Sequence, residues 1–381
     1  MARKGNNIYL RNNGKWEGRY IRERMADGRI RYGYVSGSTY EETLKRRDEA
    51  ASTYAKSMKE KIKLGNHLLF STVSQEWLNE RKLYLKESSI AKYRNILNWY
   101  LLPEFSDRYI TEITKEELSC FFTRLLRFGG VRGKGLSPRM IKSVISVYKA
   151  VAGYACDCND VKVVPVGRFP LKDSKKPMRV LSVKEQQKLE QFLFSDIGNT
   201  GLGIILCLYT GIRLGELCAL KWKDISLENR KLDIHSTMVR IQTPEDPDRR
   251  TKVIVTTPKS ACSIREIPLP SAILPLLERM KEAGDTYFLT GLQNVYIEPR
   301  TMENRFKAIT TACGIEDANF HALRHTFATR CIEQGFDVKS LSEILGHAGV
   351  KITMDRYVHP TIELKQKNMD KLSVFINSKI S

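Results

Sequence analysis

Residues 201–222 read G-L-G-I-I-L-C-L-Y-T-G-I-R-L-G-E-L-C-A-L-K-W, and the organisation of the C-terminal half of the chain can be worked out from this segment. The apolar run Gly203–Tyr209 is broken at Thr210-Gly211, and a second apolar pattern follows Arg213. This predicts two helices joined by a glycine turn. Glu216 lies three residues after Arg213, so the two side chains share a helix face and can pair. An arginine held by a carboxylate offers a rigid fork to phosphate oxygens, although a surface ion pair would look the same.

The chain is long for one domain and strongly basic. With 381 residues it is expected to form two or three domains. Its formal net charge of +20 favours polyanions, of which nucleic acid is the commonest partner and a membrane surface the alternative. No apolar run approaches the roughly 20 residues of a spanning helix, and the basic N-terminus lacks the apolar segment of a signal peptide. We therefore expect a cytoplasmic protein with no membrane partner.

The cysteines and acidic residues do not form a metal-binding pattern. Eight cysteines in a cytoplasmic chain of this size do not indicate disulfides. Cys156 and Cys158 form one C-x-C without a second ligand pair at zinc-finger spacing, so we expect free thiols there. The sequence has no Asp/Glu cluster that suits a two-metal nuclease. We expect neither a metal nor a cofactor.

The first 65 residues predict a small separate module. Alternating stretches at Asn7–Leu10, Trp16–Arg24 and Ile30–Val35 are separated by N-N-G and D-G turn sequences. They predict a three-stranded antiparallel sheet followed by a helix from about Tyr40 to Lys61.

This module is basic and aromatic. Its net charge is +8, and we expect one sheet face to display Arg19, Arg22, Arg24, Arg29 and Arg31 among Tyr20, Tyr32 and Tyr34. Such a face can lie in a DNA groove, as β-ribbon proteins do. A solvated face with ordinary aromatic pairs is the alternative interpretation. We expect these five arginines to contact DNA.

Residues 66–165 predict an all-α bundle of about four helices. Val73, Trp77 and Leu78 recur at helical spacing. Ser88 or Ser89 is expected to cap a helix that ends at Pro103.

Two further helix starts are marked by caps. Thr114 and Glu117 have capping-box spacing, and Ser137-Pro138 opens a helix that carries Lys142 and Lys149. These exposed lysines are candidates for phosphate contacts, although a charged helix face is more often only solvated. Prolines then punctuate a basic linker at 166–179. Ser182 and Glu185, another capping box, begin a mainly α-helical domain with a small β-sheet, an α+β arrangement over 180–381.

Four strands are predicted after the first pair of helices: Lys231–His235, Met238–Gln242, Val253–Thr256 and Ser263–Leu269. Lys259 is expected on a β-turn that joins the last two strands. A lysine there can swing into a phosphate site and donate a proton, since burial among cations depresses its pKa. A turn lysine alone is nearly always only solvated.

The remaining candidates lie near the C-terminus. His321 and Arg324 are three residues apart and project from one helix face. Gly346 is the expected C-terminal cap of a helix over about 339–345, so His347 points in a definite direction. Tyr357 follows His347 closely enough to reach the same pocket.

These residue types suit a phosphodiester. Two arginines and two histidines can stabilise the extra charge of its transition state. Tyr357 is a phenol whose pKa nearby cations would lower, Lys259 is the candidate acid for the leaving oxygen, and His321 is a candidate to take the tyrosine proton. A phosphotyrosine would keep the bond energy, so rejoining would need no ATP.

Five segments carry a resemblance to a known family. They are Y-T-G-I-R-L-G-E-L-C-A-L-K-W-K-D-I (209–225), T-P-K-S-A-C-S-I-R-E-I-P-L (257–269), H-A-L-R-H-T-F-A-T-R (321–330), and L-S-E-I-L-G-H (341–347) followed by D-R-Y (355–357). The sequence resembles the tyrosine recombinases, the integrases of temperate phages and conjugative transposons. The resemblance implies site-specific DNA integration and excision through a 3′-phosphotyrosyl bond at Tyr357 and a Holliday junction. Glu216 would then support Arg213. The hairpin expected around Lys259 also offers Lys252 and Arg265 for its role.

The resemblance further implies partners and domain roles. Residues 1–65 would bind arm-type DNA sites and 66–165 the core site, with a catalytic domain and C-terminal tail over 180–381. The protein would act as a homotetramer on double-stranded attachment sites, with an excision factor or a host DNA-bending protein as further partners. The tail, 363–381, is expected to pack on a neighbouring subunit.

Two other functions fit parts of this pattern. A type IB topoisomerase shares the chemistry but would act alone on one duplex and would not need an arm-site domain. A DNA-binding regulator with the same fold would form no covalent bond with DNA.

Overall fold

The computed structural model describes residues 7–24, 30–65, 68–130, 133–159, 161–171, 178–243, 251–258, 260–358, 365–366 and 369–370. Arg29 and Lys259, two of the candidate functional residues, lie outside these ranges, as does most of the C-terminal tail. The chain divides into two compact units, Met1–Ser174 and Lys175–Ser381.

The first unit begins with the predicted three-stranded sheet. Strands β1 (Ile8–Leu10), β2 (Trp16–Arg24) and β3 (Ile30–Gly37) are antiparallel in the order β1-β2-β3, and helix α1 (Tyr40–Gly65) follows. Helix α1 covers one face of the sheet. There the ring of Trp16 meets that of Tyr40 at 5.3 Å and an added Cβ on Gly18 would lie 3.2 Å from the Arg47 Cβ. Glycine at position 18 thus lets the helix approach the strand closely.

The arginines of the sheet are divided between its two faces. The Arg19 guanidinium lies over the rings of Tyr9 and Tyr34, on the face that α1 leaves uncovered. Arg22 instead lies over the rings of Tyr20 and Tyr54, and Tyr54 belongs to α1. The prediction that one face displays all these arginines is therefore wrong, because side chains alternate along a strand.

Arg31 and Arg24 complete the basic residues of the described sheet. Arg31 is exposed and lies two residues before Gly33 on the same strand, so both residues face the same side of the sheet. An added Cβ on Gly33 would meet the Tyr20 ring, which places this side against α1. Arg24 ends β2 opposite Ile30. Of the predicted set, Arg19 is the arginine that these contacts place on the uncovered face.

An all-α bundle completes the first unit, as predicted. Its helices are α2 (Phe70–Lys82), α3 (Glu87–Ile96), α4 (Leu102–Phe105), α5 (Lys115–Phe128) and α6 (Pro138–Asn159). Aromatic rings fill the core: Phe70 stacks on Tyr148 at 5.8 Å, and Phe105 meets Phe121 edge-on at 5.0 Å. Lys142 and Lys149 are exposed two turns apart on α6.

One helix of the bundle differs from its prediction at both ends. Helix α3 begins at Glu87 after Lys86, without a side-chain cap from Ser88 or Ser89. It continues through a π-helical turn, Leu97–Leu101, into α4, so Pro103 does not end it. Pro103 sits in the first turn of α4, where a missing N–H is tolerated, and the wider π turn allows the chain to continue.

Two other predicted caps of the bundle are confirmed. Thr114 Oγ1 accepts from the Glu117 N–H at 3.2 Å, and Glu117 Oε2 accepts from the Thr114 N–H at 2.9 Å. Ser137 Oγ accepts from the Met140 N–H at 3.2 Å. Beyond α6, residues 161–171 have no regular structure but pack on the bundle, with Phe169 edge-on to Phe122 at 5.9 Å. Part of the predicted linker therefore belongs to the core of this unit.

The second unit is mainly α-helical, as predicted, but it has two small sheets instead of the single sheet expected. Its helices are α7 (Val183–Ser195), α8 (Asn199–Thr210), α9 (Leu214–Ala219), α10 (Leu274–Arg279), α11 (Pro299–Ala312), α12 (His321–Glu333), α13 (Val338–Leu345) and α14 (Val350–Tyr357). Its strands are β4 (Ile225–Ser226), β5 (Lys231–Ile234), β6 (Thr237–Gln242), β7 (Thr251–Thr256) and β8 (Arg265–Pro268). The Ser182–Glu185 capping box begins α7.

The strands of this unit do not pair as their order suggests. Strand β6 pairs with β7, whereas β8 joins β5 and β4 in a separate sheet. The prediction that a turn carrying Lys259 joins two paired strands is therefore wrong. In the second sheet Leu232 opposes Ile267 and both are buried, so burial of apolar side chains, not closeness in sequence, selects the partner.

Helix α8 is the centre of the second unit. Residues 201–208 are all buried, and Gly211 ends the helix with a left-handed φ of +67°. No helix within the described ranges is long and apolar enough to span a membrane.

Gly211 gives a test of the packing beside this turn. An added Cβ would lie 2.4 Å from the Phe327 ring, whereas at Gly314, with nearly the same φ of +66°, it would meet nothing within 4 Å. We expect Gly314→Ala to lower the free energy of unfolding by about 1 kcal/mol, the cost of a left-handed alanine. Gly211→Ala should cost about 1–3 kcal/mol more from overpacking. Urea unfolding of the two variants measures the difference, and equal losses would contradict this account.

Candidate active site

The carboxylate of Glu216 binds two arginines from different parts of the second unit. Arg213, the residue before α9, donates its N–H to Oε2 at 2.9 Å and Nη1 to Oε1 at 2.7 Å. Arg265, at the start of β8, donates Nη1 to Oε1 at 3.1 Å and Nη2 to Oε2 at 2.9 Å. Burial works against ionisation of Glu216, but the hydrogen bonds and charge of Arg265 and the charge of Arg213 outweigh it and hold its pKa below the usual value.

The C-terminal end of α13 binds three arginines at consecutive carbonyl groups. Arg265 Nε donates to the Ile344 oxygen at 2.6 Å, Arg324 Nη2 to that of Leu345 at 2.6 Å, and Arg213 Nη2 to that of Gly346 at 2.9 Å. The last carbonyls of a helix lack intrahelical partners and carry a partial negative charge. They therefore bring together three guanidinium groups that would otherwise repel one another.

Arg324 is the most deeply buried cation of the site, with 2% of its surface exposed. Its Nη1 donates to the Gly211 oxygen at 2.8 Å, so two backbone carbonyls at the ends of α8 and α13 fix its plane. Burial, and then the charge of Arg213, lower its pKa to about 9. The guanidinium is thus oriented before any ligand arrives.

His347 directly follows the cap of α13, as predicted. Gly346 has a left-handed φ of +62°, and His347 Nδ1 lies 2.8 Å from Oγ1 of the buried Thr353. Burial, together with Arg324 and Arg213, lowers its pKa to about 3. The imidazole is therefore neutral, and its ring lies parallel to that of Tyr357 with centroids 6.3 Å apart.

Tyr357 ends α14 with 5% of its surface exposed. Its hydroxyl lies 2.9 Å from Nδ1 of His325. Contrary to the expectation from the sequence, its pKa is raised above the usual phenol value, because burial outweighs the opposing charges of Arg324 and Arg356. The phenol is therefore protonated at neutral pH.

His321 begins α12 and meets His325 edge to face, with ring centroids 4.5 Å apart. Its ring is reached by solvent, yet the surrounding protein and the charges of Arg324 and Arg356 lower its pKa to about 4. The second unit thus brings Arg213, Glu216, His321, Arg324, His347 and Tyr357 into one site. Lys259 lies outside the described residues.

Two residues of the site were not assigned these positions from the sequence. His325 contacts the tyrosine hydroxyl, and its position four residues after His321 on one helix was the signal that could have found it. Arg265 was considered only as an alternative to Lys259. Its contacts with Glu216, Ser263 and Ile344 make it a positioning residue instead. Lys252, the other alternative, is exposed on β7.

Within the described ranges, no cluster of three or more His, Cys, Asp or Glu side chains could hold a metal ion. Cys156 and Cys158 are free thiols, the first half-buried and the second exposed.

The chain matches known protein families, relatives and a solved structure. Residues 180–363 match the phage integrase family, and residues 69–126 match the phage integrase N-terminal SAM-like domain. A tyrosine recombinase XerC-like protein of Caldanaerobacter subterraneus is 26% identical over 98% of this chain and 99% of its own length. Tyrosine recombinase XerD of Listeria innocua is 30% identical over 63% of this chain and 77% of its own. The fold is similar to the solved Tn1549 transposon integrase in complex with transposon right end DNA, with a TM-score of 0.65 and 19% identity over 80% of this chain and 100% of that one.

The chain therefore belongs to the tyrosine recombinase family of site-specific integrases. It is an enzyme of DNA strand cleavage and rejoining, in a family that does not depend on metal ions.

The buried ion pairs of Glu216 give a second test. In Glu216→Gln the carboxylate that compensates Arg213 and the buried Arg265 is lost, so we expect a loss of about 3 kcal/mol in the free energy of unfolding. Glu303→Gln is the matched control, since Glu303 pairs with Arg300 at the same spacing but both side chains are exposed, and it should change stability by less than about 0.5 kcal/mol.

The lowered pKa of Glu216 also predicts how stability depends on pH. Because the pKa of Glu216 is lowered on folding, its contribution is complete above the ordinary glutamate pKa of about 4.3 and is lost as the pH falls through the lower folded value. The stability of the unmodified protein should therefore fall more steeply below about pH 4.3 than that of Glu216→Gln. If the free energies of unfolding of the two proteins fall in parallel over this pH range, Glu216 is not held ionised.

Proposed function

We propose that Tyr357 attacks a DNA phosphodiester and forms a 3′-phosphotyrosyl bond, while Arg213, Arg324, His321 and His347 bind the phosphate. Lys259 would protonate the leaving 5′ oxygen, and Glu216 would support Arg213. The supporting observation is the convergence of a buried phenol with Arg213 and Arg324 at the end of α13. The two arginines would stabilise the charge that develops on the nonbridging oxygens.

The count of hydrogen-bond donors supports this division of roles. A guanidinium has five N–H donors. In the described part of the chain, protein contacts use two donors of Arg213 and two of Arg324, but four of Arg265. Arg213 and Arg324 therefore retain donors for phosphate oxygens, whereas Arg265 is taken up by the protein.

His347 suits a donor role. If the Thr353 hydroxyl donates to Nδ1, the neutral imidazole carries its proton on Nε2, which can then donate to a phosphate oxygen. Its pKa near 3 keeps this neutral form throughout the physiological range.

The domain roles are proposed from the same family membership. Residues 1–65 would bind arm-type sites, 66–165 the core site, 166–179 would link them to the catalytic domain, and 180–381 would carry the chemistry. The protein would integrate and excise a mobile element as a homotetramer on double-stranded attachment sites, through a Holliday junction, in the cytoplasm. An excision factor or a host DNA-bending protein would be a further partner.

Covalent trapping tests the proposed chemistry. The protein is incubated in EDTA, without ATP, with a nicked duplex that carries the end of its element, and adducts that resist SDS are counted. We expect adducts with the unmodified protein and none with Tyr357→Phe, which keeps the ring but loses the hydroxyl. A protein that binds this DNA without forming an adduct would instead be a regulator. Recombination between two duplexes then separates a recombinase from a topoisomerase.

The uncovered face of the N-terminal sheet is expected to be the surface that binds arm DNA. Arg19, stacked between Tyr9 and Tyr34, is expected to contact arm-site phosphate, so Arg19→Ala should weaken arm binding and reduce the slope of log affinity against log salt by about one. Arg22→Ala removes an equal charge from the face covered by α1 and is the control. Equal effects of the two variants, measured by fluorescence anisotropy on arm DNA, would exclude the uncovered face as the binding surface.

A further inference from the structure

The nucleophile of the proposed reaction has a hydrogen-bond partner to which the family's sequence pattern gives no role. His325 Nδ1 lies 2.9 Å from the Tyr357 hydroxyl. His325 is one turn beyond His321 on α12, and its ring centroid is 5.8 Å from that of Tyr357. The sequence makes His321 the candidate to take the tyrosine proton, but His325 is the imidazole within hydrogen-bond distance of the tyrosine hydroxyl.

The phenol needs a base. Burial raises the pKa of Tyr357, so the hydroxyl keeps its proton at neutral pH and is a weak nucleophile until that proton leaves. An imidazole at hydrogen-bond distance is suitably placed to receive it.

The charge state of His325 fits this task. Burial, and then the neighbouring His321, Arg356 and Arg324, lower its pKa to about 4. In the described part of the chain, the titratable or charged side chains that act on His325 from α12 and α14 are these three and Tyr357. The ring is therefore neutral at physiological pH. With its proton on Nε2, Nδ1 is free to accept from the tyrosine hydroxyl.

The two other histidines of the described site are less suitably placed. Nδ1 of His347 is already engaged with Thr353, and its ring lies parallel to the tyrosine ring with an angle of 4° between their planes. His321 contacts the edge of His325, and the described hydrogen bonds of Tyr357 do not include it.

We propose that His325 is the catalytic base that accepts the Tyr357 proton during strand cleavage. This inference rests on the proposed function. As the phenol oxygen bonds to phosphorus, the bond from phosphorus to the 5′ oxygen breaks, the phenol proton moves to His325 Nδ1, and the acid of the site protonates the departing 5′ oxygen. Rejoining reverses each transfer: the 5′ hydroxyl gives its proton to that acid, and His325 returns its proton to the tyrosine oxygen.

The pH dependence of cleavage tests this assignment. In His325→Asn the side-chain amide can still hydrogen bond near the position of Nδ1 but cannot take a proton. We expect single-turnover cleavage by the unmodified protein to be nearly independent of pH from about pH 6 to 9. The variant must lose the phenol proton to solvent, so its rate should rise about tenfold per pH unit and be about 100- to 10,000-fold lower near pH 7. His321→Asn, the neighbouring variant, loses a proposed phosphate contact and should cleave more slowly, but it should keep the flat profile.

A substrate with sulfur in place of the bridging 5′ oxygen separates a base from an acid. A thiolate leaves without being protonated, so this substrate should restore cleavage to a variant that lacks the acid, such as Lys259→Ala. It should not restore His325→Asn. Restoration of His325→Asn would make His325 an acid and overturn the proposal.

The outcomes distinguish this inference from the function on which it rests. If neither the unmodified protein nor any variant forms an adduct, the proposed function itself fails. If the unmodified protein forms adducts, Tyr357→Phe does not, and His325→Asn has the flat profile, only the role of His325 is wrong. The unmodified protein alone is also a test, because a rate that rises tenfold per pH unit would show that no internal base of low pKa acts.

Discussion

The active site depends on one buried carboxylate. Glu216 is an anion held between Arg213 and Arg265. Arg213 retains donors for a ligand, whereas Arg265 belongs to strand β8. Both arginines also bind the end of α13, so a single ion pair network connects α9, β8 and the turn that orients His347. Desolvating a carboxylate costs several kcal/mol. The hydrogen bonds offset this cost here, because each oxygen of Glu216 accepts two of them.

Local features of this protein were predictable because their causes lie within a few residues. Thr114 with Glu117 and Ser182 with Glu185 form capping boxes by spacing alone, and Gly346 takes the left-handed conformation expected of a helix cap. Features that depend on pairing between distant segments, or on a change of helix type, were missed. The pairing of β8 with β5 reflects shared burial, and Pro103 is accommodated by a π turn that no spacing rule indicates.

The site shows the same division. His321 with Arg324 was predictable as a helix-face pair, and Tyr357 as a residue close to His347 in sequence. The pairing of Arg213 with Glu216 was also predictable from its spacing, although Arg213 precedes α9 with an extended backbone and does not lie on the helix face. Arg265 could not be given its role, since its partners Glu216 and Ile344 lie 49 and 79 residues away. The protonated state of Tyr357 could not be predicted from the sequence either, because the balance between burial and neighbouring charge depends on the packed structure.

The three consecutive carbonyls of residues 344–346 constrain how this chain can change in length. Each oxygen binds a different arginine, and adding one residue to α13 would rotate everything beyond it by about 100°. All three contacts would then fail together, and His347 and Tyr357 would turn away with them. Insertions and deletions in descendants of this sequence should therefore accumulate in loops, such as the one before α11, and be purged from 338–357. Such a gap-free block can identify functional members among distant relatives.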